Sequence, residues 1–90
     1  MDKTIITVVG RDAVGIIAKV CTYLSDNSIN ILNISQTIVD GYFNMMMIAD
    51  LSGSEKNTAD VKQDLTAIGE EIGVVIHVQR EEIFDRMHRI

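Results

Sequence analysis

The apolar residues of this chain fall into six short segments whose spacing alternates between that of strands and that of helices. Runs rich in β-branched residues, bounded by Gly, Asn, Asp or Ser, predict strands, and apolar positions that recur every three or four residues predict helices. In chain order these segments are strand Thr4–Val9, helix Val14–Asp26, strand Asn30–Val39, strand Tyr42–Leu51, helix Thr58–Ile72 and strand Val74–Gln79.

Each predicted helix has an apolar stripe that should face the core. In the first helix the residues at helical spacing are Val14, Ile17, Cys21 and Leu24, with Ala18 on the same side. In the second they are Val61, Leu65, Ile68 and Ile72, and Gly73 ends the helix. The pair Asp40-Gly41 between two strand-like runs predicts a tight hairpin turn.

The order strand, helix, strand, strand, helix, strand predicts an α+β, ferredoxin-like βαββαβ sandwich. In this fold a four-stranded antiparallel sheet carries two helices on one face. Three of the predicted strands are apolar on both sides, so we expect the uncovered face or an edge of the sheet to pack against another subunit. The alternative is that the C-terminal segment covers it as a short helix, since Ile83, Phe84, Met87 and Ile90 form an apolar stripe, on its own sheet or on a neighbour's.

The segment from Gly10 to Gly15 joins the first strand to the first helix and is the best candidate binding site. Gly10 can adopt backbone angles that other residues avoid, and Gly15 allows a close approach to the first helical turn. Asp12 between them is placed to cap the helix, which leaves other N–H groups available to a small polar ligand. The spacing does not make a nucleoside triphosphate loop, because Ile16 and Ile17 stand where that loop needs Lys and Ser or Thr.

These residues resemble the ACT domain, a small regulatory module whose first loop has the form Gly-x-Asp-x-x-Gly-Ile/Val/Leu. Gly10, Asp12, Gly15 and Ile16 match that loop, and the segment Asn30–Gln36 matches the junction between the family's first helix and second strand. The resemblance implies a ferredoxin-like fold and a ligand held between two subunits. By position, the loop would contribute Arg11, Asp12, Ala13, Val14, Gly15 and Ile16, and the junction would contribute Asn30 and Ile31.

Composition limits the remaining possibilities. Ninety residues that are 47% hydrophobic form one domain, 1–90, with one modest core. The net charge of −5 and the scattered basic residues argue against binding to nucleic acid. We also expect no membrane partner and a cytoplasmic location, because no leader-like or spanning segment is present. The single cysteine, Cys21, has no partner for an internal disulfide and is expected to be buried.

We expect no catalytic residues, no metal and no cofactor. Met45, Met46 and Met47 alternate between the faces of a strand and cannot converge on one ion. His77 and His88 lack neighbours at ligand spacing. The best enzyme alternative is an acylphosphatase, but that family needs an arginine after the loop, where this chain has only Lys19.

The sequence therefore predicts a small regulatory protein that is not an enzyme. It would bind an amino acid or similar metabolite at a homodimer interface and signal to a partner protein. Stand-alone members of the resembled family, similar to regulators of the glycine cleavage system, would act in this way. The alternative from another class is a ligand-free interaction or oligomerisation module.

Overall fold

The computed structural model describes residues 3–82, with the side chain of residue 13 left aside. Its elements are β1 (Lys3–Gly10), α1 (Ala13–Asp26), β2 (Asn30–Val39), β3 (Tyr42–Asp50), α2 (Thr58–Ile72) and β4 (Val75–Arg80). The strands form one antiparallel sheet in the order β2-β3-β1-β4. This confirms the predicted ferredoxin-like fold, while the predicted C-terminal helix lies outside the described residues.

The register of the strands gives the sheet two distinct ends. At one end Lys3 of β1 and Asn30 of β2 both lie opposite Asp50 of β3, and we call this the junction end. At the other end Gly10 lies opposite Phe43 and Val39 lies opposite Tyr42, and we call this the loop end. The chain enters α1 from the loop end and enters β2 from the junction end.

Both helices pack on one face of the sheet, which we call the covered face. The apolar side chains enclosed there come from every element. They are Ile6, Val8, Ile16, Val20, Leu24, Ile29, Phe43, Met45, Met47, Ala49, Leu51, Val61, Leu65, Ile76 and Val78. The predicted stripe of α2 is confirmed, because Val61 and Leu65 are buried and Ile68 and Ile72 pack against this core.

The predicted inner face of α1 is wrong in part. Ile16, Val20 and Leu24 face the core, whereas Val14 is 80% exposed and Ala18 is exposed. Ile17 and Leu24 of the predicted stripe do pack in or against the core. Cys21, expected to be buried, is only half-buried. Because α1 is apolar around most of its circumference, spacing alone does not distinguish two stripes that lie one residue apart.

The turns follow the local chemistry of the sequence. Asp40 and Gly41 both have positive φ, at 51° and 81°, as a tight hairpin between twisted strands requires. Gly73 ends α2 in the left-handed region with φ 74°, and its N–H bonds to the carbonyl of Gly69. β2 has an irregularity between Ile31 and Asn33 that leaves Leu32 out of the pairing.

The face of the sheet opposite the helices, which we call the open face, carries both apolar and polar side chains. Val9, Met46 and Val75 are 40%, 39% and 55% exposed there. Met46 thus points away from the buried Met45 and Met47, as predicted. On β2 the open face carries the exposed polar residues Asn33, Ser35 and Thr37, and Val39 is its exposed apolar residue at the loop end. The exposed apolar residues of the open face therefore lie mainly toward the loop end.

Candidate functional site

The loop end of the sheet carries the turn from β1 into α1. Asp12 is the N-cap, with extended backbone angles of φ −95° and ψ 90°. Its carboxylate accepts a hydrogen bond from the Gly15 N–H at 3.1 Å, and its carbonyl accepts one from the Ile16 N–H at 3.0 Å. The predicted capping role of Asp12 is confirmed, and α1 is fixed in place at the point where a ligand would meet its first turn.

The two glycines of the turn are required for space. A Cβ on Gly15 would lie 2.7 Å from the Asp12 Oδ2 atom, so any side chain displaces the capping carboxylate. A Cβ on Gly10 would lie 2.4 Å from Val74 Cγ1 and 2.7 Å from Ile16 Cδ1. The expectation that Gly10 uses unusual backbone angles is wrong, because its φ is not positive and the constraint is close packing.

Arg11 is positioned by a residue that the sequence did not single out. Its Nη2 atom donates to the Tyr42 hydroxyl at 2.9 Å, and its guanidinium lies 5.0 Å from the centre of the Tyr42 ring. The register of the β2–β3 hairpin brings Tyr42 to the loop end, 31 residues away in sequence. A guanidinium stacked on a ring is held in orientation while other N–H groups remain available.

Val14 and Ile16 have opposite environments within the same helical turn. Val14 is 80% exposed, whereas Ile16 is 1% exposed and packs in the core. Only the backbone of Ile16 can therefore take part in binding. Among the described side chains of the turn from β1 into α1, those of Arg11, Asp12 and Val14 are exposed, which combines a cation, a carboxylate and an apolar group.

The two junction residues lie at the other end of the sheet. Asn30 is exposed and opens β2 opposite Asp50, and the half-buried Ile31 packs against the core. The loop end is seven strand residues away, a distance of roughly 23 Å at the usual rise of a β-strand. The structure therefore brings Arg11–Ile16 together as one group and Asn30–Ile31 as another, but it does not join the two groups within one chain.

β2 forms an edge of the sheet and carries exposed apolar side chains. Within residues 3–82 it pairs with β3 alone, so the backbone groups on its outer side have no strand partner there. Four of its apolar residues are largely exposed: Leu32 at 41%, Ile34 at 43%, Ile38 at 70% and Val39 at 55%. A long edge strand with apolar side chains favours pairing with another chain.

The titratable groups with shifted pKa values lie between the helices, away from the loop. Tyr23 of α1 donates to Asp64 Oδ2 of α2 at 2.5 Å, and Lys56 forms an ion pair with the same oxygen. Burial, and then the bond to Asp64, raise the pKa of Tyr23 well above its usual value. Lys56 and Tyr23 hold the pKa of Asp64 below its usual range. This cluster fastens α1 to α2 and forms no binding surface.

The remaining candidates for catalysis or metal binding are Lys19, His77 and His88. Lys19 forms an exposed ion pair with Glu71 of α2 at 3.3 Å and does not reach the loop, as an acylphosphatase would require. No group of three or more His, Cys, Asp or Glu within residues 3–82 could hold a metal ion. His77 is exposed on the open face, and His88 lies outside the described residues. None of the helices in residues 3–82 has the length and apolar character to span a bilayer.

Comparisons of sequence and of structure both match this chain to ACT domain proteins. A family model for the ACT domain matches residues 3–79. A UPF0237 protein of Bifidobacterium longum is 60% identical over 90 residues, which is all of both chains. Among solved structures, an ACT domain protein from Streptococcus pneumoniae superposes with a TM-score of 0.81 and 37% identity, over 93% of this chain and 94% of that one.

A more distant structure shares the fold alone. It is described as a putative glycine cleavage system transcriptional repressor and superposes with a TM-score of 0.76 at 24% identity. The match covers 88% of this chain but only 45% of that one. The present chain therefore superposes on less than half of that protein.

Proposed function

This chain belongs to the ACT domain family, and from that premise we propose that it is a cytoplasmic regulatory homodimer. In this proposal it binds an amino acid or a similar small metabolite between its two copies and signals occupancy to a partner protein. The loop residues Arg11–Ile16 of one copy and the junction residues Asn30 and Ile31 of the other hold the ligand. The regulatory role follows from the family, while the ligand, the dimer and the partner are the proposed parts.

The observation that carries the proposal is the separation of the two groups of residues. In one chain the loop and the junction lie at opposite ends of the sheet, roughly 23 Å apart. A single molecule the size of an amino acid cannot touch both. A two-fold axis that pairs β2 with β2 of a second copy in antiparallel fashion places Asn30 of one copy at the Val39 end of the other. That is the end from which Arg11 and α1 begin.

The exposed surface of β2 supports this arrangement. Antiparallel pairing would satisfy the outer backbone groups of β2 and bury the exposed side chains of Leu32, Ile34 and Ile38. In a two-fold interface each residue contributes twice, so two equivalent composite sites result. The polar open face of β2, with Asn33, Ser35 and Thr37, stays in water.

The chemistry of the loop suits an α-amino acid. The start of α1 is the positive end of the helix dipole, and Arg11 adds a full positive charge held against Tyr42. Both favour a carboxylate. Exposed Val14 offers an apolar contact for a side chain, and the exposed Asn30 of the other copy supplies an amide that both donates and accepts.

Signalling requires that the ligand favour one arrangement of the interface. A ligand that touches both copies binds the paired state and not the separated one, so its occupancy shifts the population toward the pair or toward one geometry of the pair. A partner protein that recognises the pair then responds to the ligand concentration.

The decisive experiment is complementation between two inactive variants. We expect purified wild-type protein to be a dimer by analytical ultracentrifugation and to gain thermal stability with one of the twenty amino acids. Asp12→Ala in the loop and Asn30→Ala in the junction should each abolish that gain. When the two variants are mixed and exchanged, each heterodimer regains one intact site, so about half of the binding capacity of the mixed dimers returns.

The controls separate a composite site from a site within one chain. Asp12→Asn keeps a capping oxygen and should retain the fold, which isolates the effect of charge. The double variant Asp12→Ala/Asn30→Ala, mixed with either single variant, should restore nothing. Failure of the two single variants to complement each other, with dimers present, would contradict the composite site.

The second candidate is a ligand-free interaction module, favoured by apolar exposure that the paired edge would not cover. Val75 is 55% exposed on the open face, next to Val9 at 40%. A surface of this kind fits a protein partner. Absence of any stabilisation by the twenty amino acids, together with partner capture that is unchanged in Asp12→Ala and lost in Val75→Asp, would favour this module over the sensor.

A further inference from the structure

The two edge strands that the sheet has within residues 3–82 differ in length and in charge. β4 is six residues long and carries His77 and Arg80. β2 is ten residues long, and none of its residues is charged or proline. Short length, charged side chains, proline and bulges are the features that keep an edge strand from pairing with another chain. Of these, β2 has a bulge at Leu32, where its pairing with β3 shifts by one residue.

Beyond the bulge, the side chains of β2 alternate between two kinds of surface. On the helix side Ile34 and Ile38 lie opposite the buried Met47 and Phe43 of β3. Both isoleucines are nevertheless largely exposed, so the helices do not cover this part of β2. Gln36 lies between them on the same side. On the open face the exposed polar residues alternate with these three: Asn33, Ser35 and Thr37.

This alternation limits how β2 can pair with β2 of a second copy. Residues directly opposite each other in antiparallel strands point to the same face of the sheet. The two-fold axis must therefore pass by a residue that lies opposite its own copy. With Gln36 on the axis, Ile34 lies opposite Ile38 twice. With Ser35 on the axis Ile34 lies opposite Gln36 instead, and with Thr37 on the axis Ile38 does.

We propose that two copies of this chain pair β2 with β2 in the register that has Gln36 on the two-fold axis. This inference rests on the proposed homodimer and specifies its interface. It is the register that pairs isoleucine with isoleucine on the helix side and Ser35 with Thr37 on the open face. It also pairs the whole regular part of β2, because Asn33 directly after the bulge lies opposite Val39 directly before the hairpin turn.

The register also determines which part of the second copy meets the loop end. Asn33 of one copy lies level with Val39 of the other, and the bulge at Leu32 then ends the pairing. Asn30 lies three strand positions past Asn33, roughly 10 Å further in the direction in which Arg11 leads out of β1. The bulge therefore leaves the exposed Asn30 outside the paired strands, where it can face a ligand.

Cysteine cross-linking distinguishes the three registers. In a Cys21→Ser background, a cysteine on the axis lies opposite its own copy at a Cα–Cα distance of about 4.5–5.5 Å, which suits a disulfide. We expect Gln36→Cys to form a disulfide-linked dimer on mild oxidation. The matched variants Ser35→Cys and Thr37→Cys should each stay reduced alone and cross-link when they are mixed with each other.

The other outcomes separate a wrong register from a wrong dimer. Cross-linking of Ser35→Cys or Thr37→Cys with its own copy, in place of Gln36→Cys, would overturn the register and leave the homodimer standing. A dimer by analytical ultracentrifugation that cross-links at none of the three positions would show that the copies meet on another surface. A wild-type protein that sediments as a monomer would contradict the homodimer and the register together.

Paired charges give a second test that needs no cysteine. In the proposed register, Ile34→Lys/Ile38→Glu places lysine opposite glutamate twice across the axis. Ile34→Lys/Ile38→Lys places lysine opposite lysine at the same positions, and like charges directly opposite each other are destabilising. We expect the dimer of the second variant to be at least about tenfold weaker than that of the first by analytical ultracentrifugation. Equal dissociation constants for two folded variants would overturn the register.

Discussion

The two helices of this protein begin in different ways: the start of α2 has a complete capping box, whereas the start of α1 is capped by one side chain. At α2, Asn57 accepts from the Asp60 N–H at 2.9 Å while Asp60 accepts from the Asn57 N–H at 3.2 Å, a complete capping box. At α1, Asp12 caps alone through Gly15, and no acidic residue stands in the first turn. Each start thus has one carboxylate, Asp12 at α1 and Asp60 at α2, and the α1 start differs in lacking the reciprocal bond of a capping box.

The surroundings of the two starts reinforce the contrast. The α2 start is fastened by Lys56, which precedes Asn57 and pairs with Asp64 about two turns further on. Tyr23 of α1 donates to the same carboxylate. At the α1 start the neighbours are the exposed Val14 and an Arg11 whose partner is the Tyr42 ring and hydroxyl. Arg11 thus places a positive charge beside the Asp12 carboxylate at the positive end of the helix dipole, where it favours an anion.

The largest expected effect comes from removing the two caps in parallel. Asn57→Ala loses the bond that the Asn57 side chain accepts from the Asp60 N–H, while the backbone N–H of residue 57 can still donate to Asp60, and the loss should cost about 1–2 kcal/mol in the free energy of unfolding. Asp12→Ala loses one bond and should cost about 1 kcal/mol. Chemical denaturation with matched m-values gives both numbers.

The ligand response should separate the same two variants. We expect Asp12→Ala to abolish stabilisation by the bound amino acid, whereas Asn57→Ala lowers stability in its presence and absence equally. Asn57→Asp keeps a capping oxygen and serves as the control for the α2 start. Loss of ligand stabilisation in both variants would mean that the difference in capping between the starts of α1 and α2 does not determine ligand binding.

An intermediate effect is expected from Tyr23, which ties α1 to the α2 start. Its burial and its bond to Asp64 raise its pKa in the folded state, while an unfolded tyrosine ionises near about 10. Above about pH 10 the unfolded state therefore binds fewer protons than the folded one, and stability falls as pH rises toward the folded pKa.

Tyr23→Phe removes this pH dependence at a cost of about 1 kcal/mol near neutral pH for the lost hydrogen bond. The measurement is the free energy of unfolding from pH 8 to 11 for wild type and variant. Tyr42→Phe is the control for removing a phenol outside the cluster. If the free energy of unfolding of Tyr23→Phe fell above pH 10 as steeply as that of wild type, the Tyr23 hydroxyl would not be the group responsible for the pH dependence.

Much of this architecture was predictable because local signals and the overall order agree. The predicted strand and helix bounds are close to those observed, because Asp40-Gly41 favours a hairpin turn and Gly73 favours a helix end. The prediction of which face of α1 meets the core was wrong in part. Val14 was expected in the core and is 80% exposed, because the helix is apolar on almost every side and only contact with the sheet selects Ile16 and Val20.

The sequence indicated the residues of the proposed site but not their arrangement in space. The loop and the junction could each be found by motif, but their positions at opposite ends of the sheet depend on strand register, which no local pattern specifies. Tyr42 was missed for the same reason, since its contact with Arg11 exists only once β3 lies beside β1. A tyrosine directly after a hairpin turn, level with the end of β1, is the signal that would have identified it.

The smallest expected effect on stability, and the most informative, belongs to Gly15→Ala. Alanine in place of glycine inside a helix is normally worth about 1 kcal/mol in its favour. Here the added Cβ would lie 2.7 Å from Asp12 Oδ2, so the carboxylate must rotate away and its bond to the Gly15 N–H is lost at a similar cost. The two terms nearly cancel, and we expect Tm to change by less than about 3 °C.

We expect Gly15→Ala to weaken ligand binding even though stability changes little, because the displaced Asp12 carboxylate moves onto the surface where the ligand would lie. Ligand stabilisation should therefore fall sharply in a protein whose fold is intact. Ala18→Gly, at an exposed position of the same helix, is the matched control: it should lower stability by about 1 kcal/mol and leave binding unchanged. If Gly15→Ala instead kept full ligand stabilisation, the open start of α1 would be a matter of helix capping alone, and its difference from the α2 start would carry no functional meaning.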